Sequence, residues 1–162
     1  MIAGWSAVCI FARMKSVYIE ISRADVYEEV KKTTSYASSK VQGDSNAYER
    51  TFVKDADEEM LERFFYEACT TVTNALKAFV TEDALTSYGY NVTLTMPETY
   101  NEQLTTTLEK SIKSYLVLSV LVSWYLMAQP DKVETTAASA TAMLDDIRRK
   151  LYHRIPMPRP GA

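Results

Sequence analysis

The stretch LTTTLEKSIKSYLVLSVLVSWYLMAQPDKVETTAASATAMLDDIRRKLYH, residues 104–153, decides the fold. No side chain from Tyr115 to Ala128 is charged. A bilayer span needs about 20 apolar residues, and a shorter run is the mark of a buried core helix. The run is apolar nearly all round, which places it at the centre of the molecule, covered on most sides. Trp124 and Tyr125 are expected at the edge of the core or at a subunit contact. Pro130 breaks the pattern, because proline removes a backbone donor and clashes with the preceding turn. Leu104 to Gln129 and Asp131 to His153 therefore read as two helices. In the second, Val133, Ala137, Ala140, Leu144, Ile147 and Leu151 alternate four and three apart, a heptad seam. Its alanines let a neighbouring backbone approach closely. The expected arrangement is an antiparallel hairpin of the two helices.

Upstream, Val17 to Ile21 alternates and is rich in β-branched and aromatic residues, a short strand. Ser22, with Asp25 three residues on, caps a helix. Val26, Tyr27, Val30 and Thr34 lie at helical spacing, so that helix runs to about Ala37, and Ser38 to Asn46 is a polar loop. Asp55 with Glu58 predicts the start of the next helix. Its stripe is Met60, Leu61, Phe64, Phe65, Ala68, Cys69, Val72, Ala75, Leu76 and Phe79. A connector follows Asp83, and Tyr90 to Met96 alternates as a strand that Pro97 ends. Thr99 or Asn101 caps the long apolar helix. The fold class is mainly α: a helical bundle of about four helices with one or two short β-strands. The first strand pairs either with Tyr90 to Met96 or with a strand of a neighbouring subunit.

Residues 14–154 form a single helical domain in this reading. Residues 1–13 are apolar with the first cation, Arg13, behind the apolar stretch, the reverse of a signal peptide. Met14-Lys-Ser-Val-Tyr-Ile-Glu-Ile has the form of a start of its own, so 1–13 are expected to be an extension arising from an upstream start site. Residues 155–162, Ile-Pro-Met-Pro-Arg-Pro-Gly-Ala, are an extended proline-rich tail.

The 162 residues are 47% hydrophobic, with a net charge of −3, which does not point to nucleic acid. Four glycines argue against a phosphate-cradling loop. Charge is unevenly spread: acids outnumber bases from Glu20 to Glu67, and every full charge from Arg148 to Arg159 is positive. A chain with one acidic and one basic end suits head-to-tail stacking. Cys9 and Cys69 make neither a disulfide framework nor a zinc pattern. Asn91-Val92-Thr93 matches a glycosylation sequon. His153 is the only histidine and has no carboxylate close in sequence. The acids Asp57, Glu58, Glu59 and Glu62 are explained by the first turns of a helix. No nucleophile, metal or nucleotide motif is present, so the expectation is a non-enzymatic protein without cofactor.

Three segments carry a resemblance: SVYIEISRADVYEEV (16–30), ADEEMLERF (56–64) and MLDDIRRKLYHR (143–154). They look like small structural proteins of phages and prophages of gut Bacteroidetes. The order of elements is similar to phage head–tail connector (adaptor) proteins, which are small and helical, form rings beneath the portal and extend an arm onto their neighbours. The resemblance implies a virion structural protein of the connector or neck, located in the virion and in host cytoplasm before assembly. Its implied partners are itself in a homo-oligomeric ring, the portal, and tail or neck proteins, with non-specific contact to packaged DNA and no membrane. Arg148, Arg149, Lys150, Arg154 and Arg159, with Pro156 and Pro158 of the tail, are the candidate partner-binding residues. The alternative is a small nucleic-acid-binding or regulatory protein that uses the basic C-terminal helix.

Overall fold

The computed structural model describes residues 13–39, 46 and 52–156. The expected extension up to residue 12, most of the loop after Ser39, and the tail beyond Pro156 lie outside the described residues. The chain runs β1 (Met14–Ser22), α1 (Arg23–Ser39), α2 (Glu58–Leu76), β2 (Val80–Leu85), β3 (Gly89–Pro97), α3 (Thr105–Ala128) and α4 (Val133–Tyr152). Single 3-10 turns precede α2, α3 and α4. The protein is thus mainly α, with four helices and a small antiparallel sheet of order β1-β3-β2 among the described residues.

β1 pairs with β3 from Met14↔Pro97 to Ser22↔Gly89 without interruption. Alternation then sorts the side chains. Val17, Ile19 and Ile21 of β1 and Tyr90, Val92, Leu94 and Met96 of β3 are buried against the helices. Tyr18 and Glu20 face out. β1 passes directly into α1: the Arg23 amide donates to the Tyr88 carbonyl at 2.8 Å, and Ser22 Oγ accepts from the Asp25 amide at 3.4 Å. This junction brings Gly89 against β1, where an added Cβ would stand 2.1 Å from the Ile21 carbonyl oxygen.

α3 is the hub and packs on α4, α2, α1 and β1. Leu108, Ile112, Leu116 and Val120 are wholly buried along it. By length and hydropathy Glu102–Ala128 would also suffice to cross a bilayer; here its apolar surface meets the helices and β1, while Leu126 and Met127 remain exposed. α3 and α4 form the expected antiparallel hairpin. Ser111 near the start of α3 meets Asp146 and Lys150 near the end of α4, and Tyr125 near its end meets Lys132 at the other. Of the heptad seam, Ala140, Ile147 and Leu151 are buried and Val133, Ala137 and Leu144 half-buried.

The structure corrects several expectations. Among the described residues there are three strands rather than one or two, and β1 and β3 are nine residues each. The missed strand, Val80-Thr-Glu-Asp-Ala-Leu, is exposed over most of its length and carries no alternating apolar face. Its pairing with β3 forms it, not burial of its side chains. The start of α2 is closed by Asp57, whose Oδ2 accepts from the Lys54 amide at 2.9 Å. Asp55 accepts instead from Lys31 Nζ at 2.7 Å. The stripe ends with the helix at Leu76, so Phe79 lies in the turn beyond it, and Met60 at the other end is exposed. For α3, the open choice of cap resolves to Asn101, which accepts from the Gln103 amide at 3.1 Å.

Candidate interaction surfaces

The basic C-terminal residues do not act as one patch. Arg148 is exposed and paired with Asp145 at 3.2 Å. Arg149 points outward. Lys150 is drawn back into the hairpin, where its Nζ donates to Asp146 and, at 2.6 Å, to Ser111 Oγ. Ser111 in turn donates to Asp146 at 2.9 Å. The Lys150 bond holds the Asp146 carboxyl below its usual pKa, with Ser111 adding to the effect. Ser111 is buried at this helix seam and Asp146 and Lys150 are half-buried, which is tolerable because each has a partner.

Arg154 is a fastening. Its Nη1 donates to the carbonyls of Leu151 at 2.6 Å and His153 at 2.9 Å. These are end-of-helix carbonyls that the helix itself leaves unsatisfied. Its guanidinium lies 6.0 Å from the centre of the Phe79 ring, which meets Tyr152 edge-on at 5.2 Å. The backbone at Arg154 forms an antiparallel bridge with Tyr100, and the Ile155 amide donates to the Thr99 carbonyl at 2.9 Å. Pro156 is exposed at the limit of the described residues, and Pro158 and Arg159 lie beyond it. Arg154 and Ile155 therefore lie beside the Pro97 end of the sheet.

At the opposite end of the sheet is an open depression of about 770 Å³, lined among others by Glu20, Arg23, Tyr27, Glu58, Tyr88 and Gly89. Arg23 is committed to Glu62 at 2.6 Å. Glu20 and Glu58 have no ion pair among the described residues, and Tyr88 is 85% exposed at the rim. The Tyr27 hydroxyl is buried with no hydrogen-bond partner among the described residues, and burial raises its pKa. Nine residues of strand separate the two ends, about 27 Å at 3.3 Å per residue. Sequence reasoning missed this depression because its residues come from three distant segments, which the β1–β3 pairing and the contacts of α2 with α1 bring together.

Several other acids are paired at the surface: Asp25 with Lys113, Glu28 with Lys32, Asp55 with Lys31 and Glu67 with Arg63. Among the described residues, no three His, Cys, Asp or Glu side chains gather as a metal site. Burial pushes the Cys69 thiol up to about 12, which leaves it a packing group.

The comparisons decide no family. No family model, curated protein or solved structure matches this chain. A functional reading therefore rests on the surfaces themselves and on the resemblance of the three segments.

Proposed function

We propose that the chain is a non-enzymatic structural subunit that joins copies of itself head to tail, and that it serves in the connector or neck of a phage virion between portal and tail. In this reading the helices form one bundle that holds the sheet as a rigid spacer between two unlike ends. The observation that carries the self-assembly is their opposition. The C-terminal residues Arg154 and Ile155 lie at one end of the sheet, and at the other lies a depression with the carboxylates Glu20 and Glu58, which have no ion pair among the described residues. Contacts between unlike surfaces are heterologous and close into a ring when the rotation between copies allows. The virion placement is supported by the resemblance of residues 16–30, 56–64 and 143–154 to phage structural proteins.

Of the five cations, Lys150 and Arg154 are engaged within the fold, so a charge test belongs on the exposed pair. Arg148→Glu with Arg149→Glu is expected to abolish self-association measured by light scattering while leaving the helical circular dichroism unchanged. Assembly of this variant like the parent refutes the role of the basic end. Salt-dependent DNA binding without self-association transfers the chain to the nucleic-acid-binding reading.

A further inference from the structure

The depression at the Gly89 end of the sheet reaches a buried hydroxyl. Tyr27 lines it and is only 7% exposed, and its hydroxyl has no hydrogen-bond partner among the described residues. The ring is held edge-on to Phe65 at 6.1 Å, with the Arg23 guanidinium 5.6 Å from its centre. Arg23, Glu62 and Glu58 are the charges nearest the hydroxyl in effect, and Arg23 and Glu58 line the same depression. A buried hydroxyl left unbonded is destabilising, and an occupant of the depression that bonds to it removes that cost.

The charges of the lining say what kind of occupant fits. Its cations are engaged, Arg23 with Glu62 at 2.6 Å and Lys31 with Asp55 at 2.7 Å, and Glu28 is paired with Lys32 at 2.8 Å. Glu20 and Glu58 are left over, so the depression is net negative and repels an anion. A metal ion needs more donors than these, and no three His, Cys, Asp or Glu gather among the described residues. An organic cation meets every free group. Its charge answers the carboxylates, and one of its N–H groups bonds to the hydroxyl, which accepts as well as donates. The ring of Tyr88, 85% exposed at the rim, offers the π-face that attracts such a cation. The Tyr88 backbone is tied down on both sides: its carbonyl accepts from the Arg23 amide at 2.8 Å, and its amide donates to Thr86 Oγ1 at 3.3 Å. About 770 Å³ is within the ordinary range of small-ligand pockets. The described residues that border the rest of the chain lie elsewhere. Arg13 and Pro156 are at the Pro97 end, Ser39 closes α1, and Val53 meets Thr34 about three turns along α1 from Arg23.

We infer that this depression is a binding site for an organic cation, an ammonium or guanidinium group, taken up by Glu20, Glu58 and the Tyr27 hydroxyl beneath the Tyr88 ring. Such a site exists with or without self-association. One chemistry has two sources: a free diamine or guanidine, or an arginine or lysine side chain of another copy.

The test is titration calorimetry on the full chain at neutral pH and low salt, with putrescine as the amine probe and arginine amide as the guanidinium probe. Saturable one-to-one binding of one probe or both is expected. Tyr27→Phe keeps the ring and every charge and removes only the hydroxyl. It is expected to weaken binding by at least about fivefold without lowering the urea midpoint, since the hydroxyl has no bond in the fold to lose. Glu20→Gln with Glu58→Gln is expected to weaken binding by about fivefold or more. Adding the bound probe to the parent chain then separates the sources. Dissociation of associated copies assigns the cation to a side chain of the next copy. Copies that stay associated, or never associate, assign it to a free ligand. Absence of saturable binding by either probe, or equal affinity of the parent and Tyr27→Phe, overturns the cation site and leaves the head-to-tail reading to its own test.

Discussion

Phe65→Ala is expected to cost about 3–5 kcal/mol of folding stability, the range for removing a wholly buried aromatic side chain. Phe65 sits mid-way along α2, is 0% exposed and meets the Tyr27 ring edge-on at 6.1 Å between centroids. It therefore ties α2 to α1 through the core. The loss has two parts: the transfer free energy of the ring and the cavity left between elements that α3 holds apart. Stability of folded domains is only about 5–15 kcal/mol, so this one change spends a large share of it. Urea unfolding reads the effect as a lower midpoint at unchanged slope. The neighbouring Tyr66→Ala is the control, because Tyr66 is exposed and its hydroxyl donates to Glu62 on the same helix. A loss below about 1 kcal/mol for Phe65→Ala contradicts the packing described here, since that is the size of a surface change.

Gly89→Ala comes second. The added methyl would stand 2.1 Å from the Ile21 carbonyl oxygen, 3.0 Å from its carbon and 3.1 Å from the Arg23 amide nitrogen. All three are backbone atoms, so no side chain can swing aside. Relief requires prising β1 from β3 at Ser22↔Gly89, where β1 also passes into α1 and Arg23 binds Tyr88. Overpacking of this kind costs about 1–3 kcal/mol or more. In a chain of this size each kcal/mol lowers the melting temperature by about 2–4 °C, so calorimetry is expected to show a fall of roughly 5 °C or more. A melting temperature within about 1 °C of the parent shows that the strands do not approach as described.

How much of this was legible in the chain differs by element. The stripe from Leu61 to Leu76 and the uncharged run from Tyr115 to Ala128 announce helices because burial imposes their period on the sequence. Pro130 marks the hairpin between α3 and α4 for the same kind of local reason. β2 was not legible: Thr81, Glu82, Asp83 and Ala84 are exposed, so no burial wrote a pattern into them. The cap of α2 was misplaced because Asp55 and Asp57 both suit a helix start, and only the position of Lys31 on α1 draws Asp55 away. The basic end shows the limit most clearly. Arg148, Arg149, Lys150 and Arg154 look alike as a run of cations, yet Ser111 and Phe79, each far off in sequence, make Lys150 and Arg154 parts of the fold. Arg148 and Arg149 remain as outward groups.

The most direct test of the account is the mass of the full chain in solution by light scattering, alone and mixed with a phage portal protein. Assembly into a ring, or a stable complex with the portal, is the predicted result, giving masses that are multiples of 18.4 kDa or portal plus such multiples. A strict 18.4 kDa monomer that ignores the portal contradicts the central claim.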